Sequence, residues 1–278
     1  MGIAADRIAA DWHAAFAALA WQVEAGVDEV ILDTPVNRYA LPTEAPKAAP
    51  APAPIAAPAA PAALSPETPG VDAVQAAQAA AAAARTLDDL RAAIEGFAHC
   101  DLKKGARNTV FSDGHPKARV LILGEAPGRE EDQAGRPFVG QAGRLLDRMF
   151  AAIGLSRSSP DAETALYITN VMPWRPPGNR DPEPAEIAMM RPFVLRHIEL
   201  ADPAVIVAMG NTPLVALTGQ SGILRARGTW AQALDRPLLP MTHPAYLLRS
   251  AQDNDPRRKR NAWADLLSLK QRLFDAAR

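Results

Sequence analysis

The stretch ARVLILGEAPGREEDQAGRPFVG, residues 118–140, joins a short apolar run to a loop rich in glycine and acids. The run VLIL has the length and composition of a buried strand. A glycine-rich turn after such a strand often holds phosphate. Here, however, the turn carries Glu125, Glu130, Glu131 and Asp132, and four acids repel phosphate. The stretch therefore indicates a ligand site of a different kind at the end of a strand.

Three more apolar runs of strand length follow along the chain: ALYITN (165–170), AVIVAMG (204–210) and RPLLPM (236–241). Helical patterns lie between them, in residues 143–155, 184–200 and 211–219. This alternation predicts an α/β fold with a central, mostly parallel four-stranded sheet flanked by helices. Ligands of such sheets bind at the carboxyl ends of the strands. We therefore expect the site in the loops that start at Gly124, Asn170, Gly210 and Thr242.

Composition and charge exclude several classes of protein. The 278 residues include one cysteine, Cys100, and carry a net charge of −1. One cysteine excludes a disulfide framework within the chain and fits a reducing compartment. No apolar run reaches the roughly 18–20 residues that span a bilayer, and the N-terminus lacks the pattern of a signal peptide. The expectation is a cytoplasmic protein without a membrane segment.

The first 72 residues differ in composition from the rest. Residues 1–40 predict a helical appendage, since Ile8, Trp12 and Phe16 recur at helical spacing; a partner-docking helix is the alternative. Residues 41–72 contain nine of the 26 prolines, which predicts a disordered linker rich in proline and alanine. Residues 73–278 form the predicted α/β domain, with an alanine-rich helix over 73–98 as its lead-in.

Common cofactor and catalytic motifs are absent from the sequence. The glycines after VLIL do not form the dinucleotide-binding G-x-G-x-x-G, and the glycine pair Gly135 and Gly140 lacks the lysine and hydroxyl of a P-loop. The single cysteine and scattered histidines supply no zinc cluster. A G-x-S-x-G nucleophile elbow is also missing. What remains are three loops: residues 124–140, ITNVMPWRPPGNR (168–180) and MTHPAYLLRS (241–250).

These three loops together resemble the motifs of the uracil-DNA glycosylase superfamily, most closely its family four. The similarity runs from about Cys100 to the C-terminus. It implies a three-layer α/β/α fold and a monofunctional DNA-repair enzyme that hydrolyses the N-glycosidic bond of uracil in DNA. It also implies base flipping and uracil-containing DNA as the partner; we expect a monomer that uses no nucleotide cofactor. The alternatives are a protein that binds uracil-containing or abasic DNA with little turnover, and a nucleotide-binding α/β enzyme.

The resemblance fails at the cofactor. Family four carries four cysteines that hold a four-iron four-sulfur cluster, and the matching positions here are Cys100, Lys103, Trp174 and Met190. Lysine, tryptophan and methionine do not replace thiolates on iron. We therefore expect no iron–sulfur cluster and no other metal, with Trp174 and Met190 as apolar packing and Cys100 as an inert core thiol.

The resemblance also assigns roles to residues that bind and cleave. Phe138 is expected to stack on the flipped base, unless it is a core phenylalanine. Asn170 is expected to pair with O4 and N3–H of uracil, unless it caps a turn. His243 is expected to stabilise the anionic leaving base, unless it is structural. Glu125 and Glu131 match pocket acids that would stabilise the cationic sugar or activate water, and the sequence leaves open which of them does so.

The remaining site predictions concern the rim and the DNA. The backbone of Ala126 is expected to bond the base, and Asn179 to lie at the pocket rim. The resemblance places Leu247, Leu248 and Arg249 in a wedge that fills the gap left by the base. Arg136, beside Phe138, is expected to contact DNA. The run RRKR, residues 257–260, fits either phosphate contacts or a solvated surface.

Overall fold

The computed structural model describes residues 71–249 and 256–275, so the predicted appendage and nearly all of the predicted linker lie outside the described residues. The described helices are α1 (Val71–Ala83), α2 (Leu87–Gly96), α3 (Leu102–Gly105), α4 (Arg129–Ala134), α5 (Gln141–Ala151), α6 (Pro184–Ala201), α7 (Asn211–Thr218), α8 (Ile223–Ala226), α9 (Pro244–Arg249) and α10 (Pro256–Asp275). The strands are β1 (Ser112–Gly114), β2 (Val120–Gly124), β3 (Leu166–Asn170), β4 (Val205–Met209), β5 (Ala231–Ala233) and β6 (Arg236–Met241). None of these helices is long and apolar enough to cross a bilayer.

The strands form one sheet in the order β1-β3-β2-β4-β6-β5. Its four inner strands are parallel and are the four that the apolar runs predict. The predicted strand number of four is nevertheless too low, because β1 and β5 add antiparallel strands at the two edges. These edge strands read SDG and AQA. Three residues with so little apolar character give no periodic signal, so the sequence does not reveal them.

Helices cover both faces of the sheet, which confirms the three-layer α/β/α architecture. Alternate residues along a strand face opposite sides. Leu121 and Leu123 of β2 pack into a cluster with α1, α2 and α6, whereas Val120 and Ile122 pack with α5 and α10. Every residue of β2, β3 and β4 is buried. Burial on both faces explains why the strands read as continuous apolar runs.

The predicted lead-in helix over 73–98 is two helices, α1 and α2, broken before Thr86. The Thr86 hydroxyl accepts from the Asp89 N–H at 3.1 Å, and the Asp89 carboxylate accepts from the Thr86 N–H at 2.9 Å. This reciprocal pair is a capping box, which starts a new helix at Leu87. Ala77 and Ala81 are buried in the core that includes α6, so the alanine-rich helix belongs to the core of the domain.

Candidate active site

A cavity of about 260 Å³ opens at the carboxyl edge of the parallel strands. It is bounded by the loops after β2, β3 and β6, because the carboxyl ends of parallel strands meet at one edge. Seven of the residues proposed from sequence line it: Glu125, Ala126, Glu131, Phe138, Asn170, Asn179 and His243. Sites for drug-sized ligands span roughly 300–1,000 Å³. A cavity just below that range suits a single base.

Phe138 forms one wall of the cavity. Its ring centroid lies 5.4 Å from that of His243, with the ring planes tilted by 30°. The backbone of Phe138 has φ = 54°, in the left-handed region that bulky residues avoid. Such a conformation costs about 1–3 kcal/mol and persists only where its surroundings enforce it.

Two side chains hold the strained peptide of Phe138 from opposite sides. Arg157 donates to the carbonyl oxygens of Pro137 and Phe138 at 2.8 and 2.9 Å. Glu131 accepts from the N–H groups of Val139 and Gly140 at 2.9 and 2.8 Å. We call Arg157 and Glu131 the Phe138 clamp. Charge-assisted bonds of this kind are about twice as strong as neutral ones, so the clamp offsets the strain of the left-handed residue.

The Phe138 clamp is anchored beyond the loop. Arg157 also contacts the carboxylates of Asp147 at 2.8 Å and Asp113 at 3.1 Å. The second oxygen of Glu131 accepts from the Gly128 N–H at 3.1 Å, at the start of α4. Glu131 therefore has both carboxylate oxygens bound by backbone N–H groups. This carboxylate ties the loop together.

Asn170 ends β3 and points a polar edge into the cavity. It lies opposite Gly124 of β2 in the sheet register. A side chain at Gly124 would collide with the Asn170 amide and the Phe138 ring, which explains the glycine. Among the described residues, the buried Oδ1 atom of Asn170 has no hydrogen-bond partner. Buried polar atoms are nearly always paired, so the unpaired Oδ1 of a residue that lines the cavity suits a ligand that donates a hydrogen bond.

His243 follows β6 and starts the turn into α9. Its Nδ1 accepts from the Ala245 N–H at 3.2 Å. This bond leaves Nδ1 without a proton, so the neutral ring carries its proton on Nε2. Burial, helped by the positive charge of Arg249, lowers the pKa of His243 to about 4. The ring is therefore neutral at pH 7 and has one N–H to donate.

Glu125 lies beside Asn170 at the mouth of β2. Its Oε2 accepts from the Thr212 hydroxyl at 2.6 Å, while its Oε1 has no hydrogen bond to any described residue. Burial raises the pKa of Glu125, the Thr212 bond opposes the rise, and nearby Asp181 adds to it. Glu125 thus differs from Glu131, since one of its oxygens remains available to a ligand or a water molecule.

The rim of the cavity is formed by the 3-10 turn at Pro177–Asn179. Asn179 is exposed, and its Oδ1 accepts from Arg175 Nε at 2.7 Å. Arg180 lines the cavity as well, but both of its terminal nitrogens donate to Glu186, at 2.9 and 2.7 Å. Arg180 is therefore committed to a bidentate ion pair that shapes the rim.

The residues predicted to contact DNA lie outside the cavity lining. Arg136 and Arg249 are exposed and Leu248 is partly exposed, but only 3% of Leu247 is accessible. Leu247 packs inward from α9, and its place in the wedge stays a prediction. The basic run begins α10, where Arg258 packs over the Tyr246 ring at 4.4 Å and connects α10 to α9.

The four positions that match the cluster cysteines hold side chains that are packed in the core or hydrogen-bonded. Trp174 is fully buried and donates from Nε1 to the Thr109 hydroxyl at 3.1 Å. Met190 and Cys100 are buried in the same core. Lys103 donates to the carbonyl oxygens of Glu95 and Phe97. One thiol, one thioether, one indole and one bonded ammonium do not fit an iron–sulfur cluster, which takes four thiolates.

Two residues at this site could not be found by sequence reasoning. Arg157 lies in the polar loop SRSS between α5 and β3, where nothing in the pattern separates it from a surface arginine. Thr212 lies in GNTP after β4, a loop that the carboxyl-edge rule indicates without naming a residue. Both act through side-chain contacts that form only in the folded chain.

Comparison with known proteins agrees with this geometry. A model of the family described as the uracil DNA glycosylase superfamily matches residues 111–267, more than half of the chain. The type-4 uracil-DNA glycosylase of Thermotoga maritima is 40% identical over 162 residues, which cover 57% of this chain and 81% of that protein. The type-4 enzyme of Sulfurisphaera tokodaii is 36% identical over 59% of this chain and 76% of its own.

The type-4 enzyme of Archaeoglobus fulgidus is 46% identical over 126 residues; this match covers 45% of the chain and spans 60% of that relative's length. These alignments, the three-layer fold and the lined cavity at the carboxyl edge of the sheet agree with one another. The chain belongs to the uracil-DNA glycosylase superfamily.

Proposed function

We propose that the protein is a monofunctional uracil-DNA glycosylase that hydrolyses the bond between C1′ of deoxyribose and N1 of uracil. The products are free uracil and an abasic site in the DNA. The observation that carries the proposal is the cavity in which Phe138, Asn170 and His243, from three separate loops, face one base-sized space. Family membership supports the same reaction class.

Asn170 supplies the recognition of uracil. Its unpaired Oδ1 suits the N3–H of uracil, while its amide N–H suits O4. Cytosine presents an acceptor at N3 and a donor at C4, the reverse pattern. A site with a buried polar group strongly rejects a ligand that leaves that group unpaired.

Phe138 contributes to binding of the base, and His243 contributes to cleavage of the glycosidic bond. The Phe138 ring stacks on the flipped base, which is worth about 1–3 kcal/mol. The Nε2–H of neutral His243 donates to uracil O2. This bond strengthens as negative charge develops on the leaving base, so it stabilises the transition state more than the bound substrate.

Glu125 is the carboxylate that we assign to the sugar and the attacking water. Loss of the base gives the sugar cationic character, which a nearby carboxylate stabilises, and the free Oε1 can orient the water. Glu131 is assigned to the clamp, because its oxygens are occupied by three backbone N–H groups. The Ala126 N–H, which donates to no described residue, is available to the base.

DNA binding is assigned to the surface around the cavity mouth. Leu248 and Arg249 would enter the space left by the flipped base, and Arg136 and the basic start of α10 would contact phosphates. We propose that the protein acts as a monomer. The residues at the four cluster positions support an enzyme that works without an iron–sulfur cluster. We propose that it uses no other metal and no nucleotide.

The test is release of base from oligonucleotides that each contain one uracil, hypoxanthine, xanthine or cytosine. We expect free uracil and an alkali-labile abasic site, with no strand break before alkali. Uracil-specific binding without release, measured by gel shift on the same oligonucleotide, would instead make the protein a binder. No binding and no release on either single- or double-stranded DNA would refute both.

A further inference from the structure

The contact between Thr212 and Glu125 joins two neighbouring loops of the carboxyl edge. Thr212 is the second residue of α7, which follows β4, and Glu125 follows β2, the strand beside β4. The Thr212 side chain is only 6% exposed, and its hydroxyl lies 2.6 Å from Glu125 Oε2. The Glu125 carbonyl oxygen accepts from the Met172 N–H at 2.9 Å. The backbone of Glu125 is thus held from the loop after β3, and its side chain from α7.

Helix capping does not explain the Thr212 hydroxyl. The residue that precedes α7 is Gly210, and this helix end has no side-chain cap. Within the described parts of the chain, the Thr212 hydroxyl makes its hydrogen bond to Glu125. The neighbouring Asn211 takes the structural role, since its Oδ1 accepts from the Gly222 N–H at 2.8 Å. Thr212 is therefore available to act on the carboxylate.

The charged groups around Glu125 make the Thr212 hydroxyl important for the ionisation of its carboxylate. No ion pair to Glu125 is formed by the described lysine and arginine side chains, and nearby Asp181 disfavours its ionised form. A hydroxyl can donate to a carboxylate but gains much less from a protonated carboxyl. The Thr212 bond also takes up Oε2 and leaves Oε1 without a hydrogen bond to a described residue, on a side chain that lines the cavity.

We infer that Thr212 is a positioning residue that fixes the rotamer of Glu125 and keeps its carboxylate ionised, so that Oε1 faces the sugar and the water. This inference rests on the proposed function only for what Oε1 acts on. The contact itself, and its effect on the ionisation of Glu125, hold whatever the substrate is.

The experiment compares Thr212→Val, which keeps the shape and removes the hydroxyl, with Thr212→Ser, which keeps the hydroxyl. Single-turnover release of uracil is measured from pH 5 to 9. We expect Thr212→Val to lose roughly tenfold or more in rate near pH 7 and to move the acid limb to higher pH. Thr212→Ser should retain the limb and most of the rate. A loss without a change of the pH profile would indicate a merely structural role and overturn the inference.

Two further measurements separate this inference from the proposed function. In a Glu125→Gln background, Thr212→Val should change the rate little; a full additional loss would overturn the inference. Independently of activity, the Glu125 carboxyl is titrated by NMR in protein labelled with ¹³C at glutamate carboxyls, with the signal assigned by its disappearance in Glu125→Gln. Its midpoint should rise in Thr212→Val and stay in place in Thr212→Ser. An unshifted midpoint overturns the inference, whereas absent uracil release with a shifted midpoint overturns only the function.

Discussion

Replacing Arg157 with methionine should impair both stability and catalysis, through one side chain that does not touch the cavity. The guanidinium holds two carbonyl oxygens of the Phe138 loop and two carboxylates. Methionine keeps an unbranched apolar side chain and has none of these donors. Without these hydrogen bonds, only Glu131 holds the left-handed backbone of Phe138, and we expect the ring to move away from His243.

The magnitudes follow from the contacts. Breaking one partner of a buried ion pair costs about 3–5 kcal/mol. Here the Arg157 side chain is 14% exposed but that of Asp147 is 46% exposed, so water replaces part of the loss. We expect the free energy of unfolding to fall by about 2–4 kcal/mol. If the ring leaves its place, the lost stacking of about 1–3 kcal/mol lowers kcat/KM by roughly 5- to 150-fold.

The assay is uracil release at a temperature where urea titration shows every variant folded. Arg157→Lys is the matched control, because an ammonium keeps the charge but cannot fork to four acceptors; it should fall between wild type and Arg157→Met. In a Phe138→Ala background, Arg157→Met should lower kcat/KM no further. A variant that loses stability yet keeps kcat/KM within twofold of wild type would refute the role of the clamp in placing the ring.

Three further outcomes are expected. Asn170→Ala should lower kcat/KM for uracil by roughly 10- to 100-fold in the release assay, and an unchanged value would remove Asn170 from base recognition. Burial lowers the pKa of His197 to about 3 and of His243 to about 4, below the unfolded value of 6.5; the unfolded chain therefore binds more protons below pH 6.5. The free energy of unfolding should be greatest above pH 6.5 and fall by about 1.4 kcal/mol per pH unit per histidine down to pH 5. His197→Gln should make this fall with pH less steep. Urea titrations that give the same free energy of unfolding at every pH would contradict the prediction. Cys100→Ala should leave uracil release within about twofold and the purified protein colourless; visible absorbance that the substitution abolishes would show a bound cluster.

The predictable parts of the fold are those in which burial or strand direction determines the residue pattern directly. Strands buried on both faces must be apolar at every position, so β2, β3 and β4 stand out as runs. Parallel strands bring their carboxyl ends together, so the sequence alone places the loops that begin at Asn170 and Thr242 at one site. The edge strands β1 and β5 are too short and too polar to be recognised in this way.

The division of roles between Glu125 and Glu131 could not be predicted. Both acids follow the same strand, and their difference comes from which groups reach them in the folded chain: three backbone N–H groups for Glu131 and one hydroxyl for Glu125. Leu247 shows the same limit. It is buried on the inner face of α9, and a six-residue helix gives too little pattern to show from sequence which face is buried.

The unpaired oxygen of Asn170 has a consequence for how this protein evolves. An acceptor buried without a donor makes the empty domain less stable than it would be with an apolar residue there. Asn170→Leu should therefore raise the melting temperature while abolishing turnover. If the proposed function holds, the asparagine lowers stability at this position in return for its contact with uracil. The same unpaired oxygen would therefore lower the stability of the protein without ligand and give the proposed enzyme its selectivity for uracil.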